Sequence, residues 1–271
     1  MNMKGRNYQL LAVALILLLG GTYAFSADSP VLDRIASNGV LKVGMSGNQA
    51  PLNAKSRSGQ LIGLEVDLAN ILASAMDVKV ELVVRPFPEL LPALQAGEVD
   101  IVMSGMTITA ERSAKVSFVG PYTLSGKSIL TKSKTLAAAD EAGEINQANL
   151  TIAALEGSTS QRFVEKNLPR VNLVKTKDYD SAVKLVLDGQ ADALVADMPV
   201  CMLSLMRYPG EDLVTLDQPL TVEPIGIALS AGDAQFLNLV ENYFRTLEGM
   251  GVMQQLRTKW MEDSSWIAAL P

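Results

Sequence analysis

Short apolar runs alternate with stretches of helical period along most of the chain, the pattern of an α/β protein. Val40 to Met45 reads as a first strand, and Leu64, Leu68, Ile71, Leu72 and Ala75 then fall on one helical face. Val78 to Val84 predicts a second strand, Glu89 to Ala96 a helix, and Asp100 to Met103 a third strand. Pro88 or Pro92 suits a first helical turn, where the missing N–H has no intrahelical partner to lose.

A related order recurs downstream. Leu150 to Leu155 reads as a strand, Ser160 to Leu168 as a helix, Val171 to Lys175 as a strand, Ser181 to Asp188 as a helix and Ala193 to Ala196 as another strand. Helix, glycine, acid and strand follow each other twice, as Gly97-Glu98-Val99-Asp100-Ile101 and as Gly189-Gln190-Ala191-Asp192-Ala193. Glycine just past a helix relieves the left-handed turn that ends it. The repetition points to two α/β lobes of similar build. Ile225 to Leu229 adds a strand, and a helix from about Ala234 to Leu247 turns Leu237, Val240, Phe244 and Leu247 inward. Gly249 and Gly251 break it, and Met253 to Trp260 forms a last helix. Thr135 to Asn149, polar and rich in small residues, reads as a surface loop with one helical turn.

The first residues change the picture, because they read as an address. Lys4 and Arg6 precede an apolar run from Leu10 to Leu19, and no acid appears before Asp28. Ten residues are too few to span a bilayer, which takes about 20. A secretory signal of residues 1–24 is expected, with the small residues Thr22 and Ala24 before the cut, or a cut as late as residue 27. An uncleaved anchor is the alternative. No cysteine lies near either cut for lipid attachment, so the product is expected to be exported and soluble. Losing Lys4 and Arg6 leaves 21 Lys and Arg against 29 Asp and Glu, a net charge of −8 in place of −6. Such an acidic balance disfavours nucleic acid, whose phosphates reward clustered cations. Cys201 is the one cysteine and there is no histidine, which excludes an intramolecular disulfide and disfavours a zinc site. No cofactor and no metal are expected.

The candidate chemistry follows strands, as ligand sites do in open α/β sheets. Ser104-Gly105-Met106-Thr107-Ile108-Thr109-Ala110-Glu111-Arg112 is the richest segment. Gly105 permits close approach of a ligand to the backbone. Thr107 offers a hydroxyl and an N–H, and Thr109 caps the helix carrying Arg112. The guanidinium matches a carboxylate, although the same spacing is also a good helix start with a solvated arginine. Gly157-Ser158-Thr159-Ser160 opens a helix whose N–H groups favour an anion, or is an ordinary cap. Asp197 ends a strand, where it either accepts an ammonium or caps the helix after Pro199. Together these positions suit a zwitterion.

These residues make the chain resemble the family 3 bacterial extracellular solute-binding proteins, the polar amino-acid and opine binders of ABC importers. The resemblance runs from about Leu32 to Trp260. It rests on Gly39-Val40-Leu41-Lys42-Val43-Gly44, Gly63-Leu64-Glu65-Val66-Asp67-Leu68-Ala69, and Leu91-Pro92-Ala93-Leu94 with Gly97 and Asp100. The Thr107 to Arg112 segment, Phe118 with Pro121-Tyr122, and Gly157-Ser158-Thr159 complete it. It implies a periplasmic-binding-protein type II (Venus flytrap) fold, two α/β lobes joined by a two-stranded hinge. Lobe one would comprise residues 28–123 plus 225–271 and lobe two residues 124–224. By the same resemblance Arg112 clamps the ligand α-carboxylate, helped by Thr107 and a backbone N–H near Thr159, and Asp197 takes the α-amino group.

The side-chain pocket departs from family habit. Gln49 stands in Ser46-Gly47-Asn48-Gln49-Ala50-Pro51-Leu52 where a stacking aromatic is usual, while Phe87 matches the second ring. Ser46, Leu155 and Ala196 fill positions that often carry charge, which favours a neutral ligand, since burying an unpaired charge is costly. Hinge closure on an amino acid, a membrane ABC permease as partner and a monomeric state are the expectations. Two rivals accompany them. Some relatives are dehydratases acting on prephenate or arogenate and need a general acid in the cleft, here Glu156 or Asp197. Others present ligand to a sensory receptor.

Overall fold

The computed structural model describes residues 29–271; the expected signal and both cleavage positions lie outside the described residues. Helix α1 (Pro30–Asn38), not anticipated from the sequence, leads in with Pro30 in its first turn and Val31 and Ile35 buried. The Asp233 carboxylate anchors its start, accepting from Ser29 Oγ at 2.8 Å and from the Val31 N–H at 3.0 Å.

The strands follow in chain order. They are β1 (Val40–Met45), β2 (Asn48–Gln49), β3 (Asn53–Lys55), β4 (Leu61–Ile62), β5 (Lys79–Val84), β6 (Ile101–Val102) and β7 (Val116–Ser125), then β8 (Lys127–Thr131), β9 (Thr151–Leu155), β10 (Asn172–Thr176), β11 (Ala193–Asp197), β12 (Val214–Thr215) and β13 (Glu223–Ser230). Two five-stranded mixed sheets result, with orders β5-β1-β6-β13-β7 and β10-β9-β11-β8-β12, and β2 to β4 form a small third sheet. In each large sheet four strands run the same way and one, β13 in the first and β8 in the second, runs against them in fourth place. The two lobes therefore share one plan.

The recurring glycine–acid motif does the same job in both. Gly97 and Gly189 adopt left-handed φ values of 70° and 69°. Asp100 then accepts the Lys42 N–H of β1 at 2.7 Å, and Asp192 accepts the Thr151 N–H of β9 at 2.7 Å. In each lobe an acid after the turn pins the adjacent parallel strand, and both hydrogen bonds are charge-assisted.

Helices Leu64–Ala75 and Ala234–Gly249 bury Leu68, Leu72, Phe236 and Val240 against one face of the first sheet. Ile129, Ile152, Val164 and Val195 form the corresponding core of the second lobe. A third apolar cluster runs from Leu90, Leu94 and Val102 of the first lobe to Leu155, Tyr179 and Leu194 of the second. The expected loop from Thr135 to Asn149 holds two short helices, Lys134–Ala137 and Ala142–Ile145, fixed by buried Leu136 and Ile145. The expected last helix is Val252–Arg257, and the chain then widens into a π turn over Thr258–Glu262.

The chain leaves the first sheet through β7 and enters the second through β8, with only Gly126 between them. It returns along β13. Ser125 pairs with Glu223 and Thr123 with Ile225, so the outgoing and returning strands lie side by side, with a register shift between Ile225 and Ile227. Gly226 sits at that shift, where a Cβ would come within 2.9 Å of the Val119 carbonyl oxygen.

Candidate functional site

Thr109 is in extended conformation, and its hydroxyl accepts the Arg112 N–H at 3.2 Å, starting the short helix Ala110–Ser113. That turn directs the Arg112 side chain inward, where the residue is only 4% exposed. Its Nη1 donates to the Thr107 carbonyl at 2.9 Å and its Nη2 to the Gly157 carbonyl of the other lobe at 3.3 Å. Its guanidinium lies over the Phe87 ring, 5.7 Å from the centroid. Burial lowers the Arg112 pKa to about 10, with Arg162 adding to the effect and Asp197, Glu223 and Glu111 opposing it. It remains a cation at neutral pH. Two of its five N–H donors are used among the described residues.

Thr159, at the start of helix Thr159–Asn167, faces Thr107 across the gap, with their hydroxyl oxygens 3.2 Å apart. Ser158 is committed to structure. Its Oγ donates to the Leu155 carbonyl at 2.6 Å and accepts the Gln161 N–H at 3.1 Å, which makes it the cap of that helix. Outside these contacts, Glu111 and Arg162 pair across the rim through both guanidinium nitrogens.

Gly105 has φ +55° and donates its N–H to Glu65 Oε1 at 2.7 Å. The Gln49 amide rests directly over Gly105, so close that a Cβ there would lie 2.1 Å from Nε2. Gln49 is buried and its Oε1 has no partner among the described residues. Ser46 is buried beside it, its N–H donating to Ser104 Oγ at 2.9 Å and its Oγ meeting Asn53 Oδ1 at 3.2 Å.

The sequence did not reveal what organises these loops. Glu65, fully buried, also accepts from Asn53 Nδ2 at 2.5 Å and from the Tyr122 hydroxyl. Asn53 in turn accepts the Gly47 N–H at 2.6 Å. One carboxylate thus ties the loop after β1, the Gly105 turn and strand β7 together. Burial raises its pKa, against the lowering effect of its three hydrogen bonds, and burial likewise pushes the Tyr122 hydroxyl up.

Asp197 ends β11 with no side-chain cap bond to the helix Met198–Arg207, so the capping alternative is not what the structure adopts. With Gln49, Thr123, Ser125, Pro199 and Ile225 it lines a tight cavity of about 10 Å³ between the lobes. Ser125 Oγ, like Gln49 Oε1, is buried there without a partner. A cavity of about 240 Å³ lies beside Phe87, Arg112 and Gly157, and one of about 350 Å³ beside Ser46, Tyr179 and Leu203. A larger apolar hollow, about 530 Å³, lies apart from these residues between Ile35, Leu72 and Tyr243.

Residues 41–263 match the sequence profile of the bacterial extracellular solute-binding proteins, family 3. The chain belongs to that family. This family 3 protein is similar to the cyclohexadienyl dehydratase of Pseudomonas aeruginosa, at 27% identity over 96% of both chains. It is also similar to the L-cystine-binding protein TcyJ of Escherichia coli K12, at 25% identity over 94% of this chain and 95% of that one. Among solved structures it resembles the ancestral amino acid-binding protein AncCDT-1, a precursor of cyclohexadienyl dehydratase. That match has a TM-score of 0.77 and 36% identity, covering 84% of this chain and 98% of the other. The two-lobed fold is that of the type II periplasmic binding proteins.

One cation in this family 3 protein has no counterpart in the sequence reading. Lys127, the first residue of β8, stands in register with Asp197. Its Nζ lies 2.5 Å from Asp197 Oδ1 and 3.6 Å from Glu223 Oε2. Glu156, the acid expected beside the carboxylate site, is instead exposed.

Proposed function

We propose that the protein captures a free amino acid in the periplasm and delivers it to an ABC importer. The observation that carries the reading is Arg112, a buried cation with three N–H donors left over and hydrogen-bonded to both lobes. A ligand α-carboxylate would take these donors, with Thr107 and Thr159 on either side. The α-ammonium would enter the tight cavity where Gln49 Oε1, Ser125 Oγ and Asp197 converge. An ammonium has three donors, and these are three acceptors. Both halves would then contact one small molecule, which stabilises the closed form in proportion to its differential affinity.

The ligand side chain would extend past Ser46 into the larger cleft cavity. Ser46 brings no charge to that cavity, and its charged side chains, Lys55 and Arg207 against Asp178 and Asp180, are two of each sign, which supports a neutral side chain. TcyJ and AncCDT-1, named for cystine and amino-acid binding, support the ligand class. Titration calorimetry with the Arg112→Ala variant tests the assignment. Two charge-assisted hydrogen bonds at about 1.5–3 kcal/mol each predict at least about a 100-fold loss of affinity; unchanged affinity would refute it.

A second reading has one specific support, the full-length similarity to a cyclohexadienyl dehydratase. On that reading the same cleft would need a proton donor. Glu156 is exposed and Asp197 is held by Lys127, which weighs against it. Prephenate turnover by the purified protein would reverse the order of the two readings.

A further inference from the structure

We propose that Lys127 sets the charge of the ligand: its ammonium offsets Asp197 and Glu223, so that the cleft is electrically balanced before an amino acid enters. The inference rests on the amino-acid reading and adds to it a residue that fixes the ligand class.

Lys127 is 1% exposed, an unusual place for a lysine. A buried ammonium persists when it is paired and its donors are satisfied. Its partners come from two different strands. Asp197 is opposite it on β11, and Glu223 begins β13 on the returning crossing. The backbone is fixed as well, because the Lys127 N–H donates to Thr221 Oγ1 at 3.0 Å, and Thr221 Oγ1 donates to Glu223 Oε1 at 3.1 Å. The Leu220 N–H closes the arrangement on the Lys127 carbonyl at 2.7 Å. The side chain is held on one spot by β8, β11 and β13 together.

The charges that face one another here are Lys127, Asp197 and Glu223, with Arg112 near enough to be influenced by both acids. Glu65 is engaged elsewhere, by Asn53, Gly105 and Tyr122. Two cations therefore meet two carboxylates. A zwitterion of neutral side chain keeps that balance on binding. A lysine or arginine ligand would add a cation, while the acids lining the side-chain cavity are already engaged, Asp178 by the Ser181 N–H and Asp180 by Arg207, and a dicarboxylate would add an anion. Without Lys127, Asp197 and Glu223 would be in excess by one charge and would favour an extra cation.

The test compares ligand preference by calorimetry in wild type, Lys127→Met, Lys127→Arg and Glu223→Gln. The probes are L-glutamine, L-leucine, L-lysine, L-arginine and L-glutamate. Wild type should prefer a neutral probe. Lys127→Met should shift the ratio toward lysine or arginine by about tenfold or more, the scale of one uncompensated charge at an effective dielectric of about 20. Lys127→Arg should leave the ratio near that of wild type. Glu223→Gln, which keeps the lysine, should shift preference the opposite way, toward glutamate, so the idea remains testable if Lys127→Met does not fold. A merely structural lysine would weaken all probes equally. Ratios unchanged within about twofold in both charge variants, with wild type still binding a neutral probe, would overturn this inference alone. Preference of the wild type for lysine or arginine would overturn it too. Silence of wild type toward every probe would overturn the amino-acid reading, and this one with it.

Discussion

Replacing Glu65 with glutamine changes one atom and puts a donor where an acceptor is required. The carboxylate accepts from Asn53 Nδ2, the Gly105 N–H and the Tyr122 hydroxyl. A glutamine amide brings two N–H donors of its own. Turned one way it meets the Asn53 amide donor, and Asn53 cannot rotate in response because its Oδ1 already accepts from Gly47 and Ser46. Turned the other way it opposes the Gly105 N–H. Either arrangement orphans at least one buried donor, at about 1–3 kcal/mol. The expected loss is about 2 kcal/mol, measured by urea denaturation and followed through Trp260, a buried ring 5.4 Å from Trp266. The gap should depend on pH. Burial holds the folded pKa of Glu65 above 4.5, so its contribution is fully present below that value and declines as pH climbs through the folded pKa. A protonated Glu65 can turn its O–H to the Tyr122 oxygen and still accept from Gly105 and Asn53, which an amide NH2 cannot, so the wild-type advantage over Glu65→Gln should be greatest at and below pH 4.5 and shrink toward neutrality. Equal stability at every pH would refute the network, and an advantage that widens with pH would show that the hydrogen bonds outweigh burial.

Two further outcomes follow from the same geometry. Burial pushes the Cys201 thiol up to about 12, so it should resist iodoacetamide at pH 8 in the folded protein and react only on unfolding, as mass spectrometry would show. Glu111→Ala removes the exposed rim pair with Arg162 and should cost no more than about 1 kcal/mol in ligand affinity, less at high salt; a larger loss in calorimetry would mean the rim holds the lobes together.

Much of the fold was legible because buried parallel strands read as apolar runs. Val40–Met45, Thr151–Leu155 and Ala193–Asp197 are such runs, and the glycine–acid repeat between helix and strand announced two similar lobes. Strands β7 and β8 escaped notice. Gly120 and Pro121 interrupt the apolar rhythm of β7, and β8 opens with a lysine, which local patterning assigns to the surface. That lysine is buried only because antiparallel pairing sets it opposite Asp197, a relation spanning 70 residues that periodicity does not express. Of the candidate site, the structure brings Arg112, Thr107, Thr159 and Phe87 together, and sets Gly105, Gln49 and Ser46 around the Glu65 network. Ser158 was readable in either of two ways, and its hydroxyl is spent on the cap. Glu65 stood within the quoted motif, yet nothing local distinguishes an acid that points inward from one on a solvated helical face.

The paired strands between the lobes have a mechanical consequence. Because β7 and β13 are bonded edge to edge, they behave as a single ribbon, compliant to bending across its face and stiff within its plane. The irregular register at Gly226 gives the ribbon a local soft point, as a bulge does. A joint of that kind has essentially one arc of travel. If the halves close on a solute as proposed, they would reconverge in the same alignment each time, Thr107 would meet Thr159 without a search, and discrimination between solutes would be decided by fit and not by the path of approach.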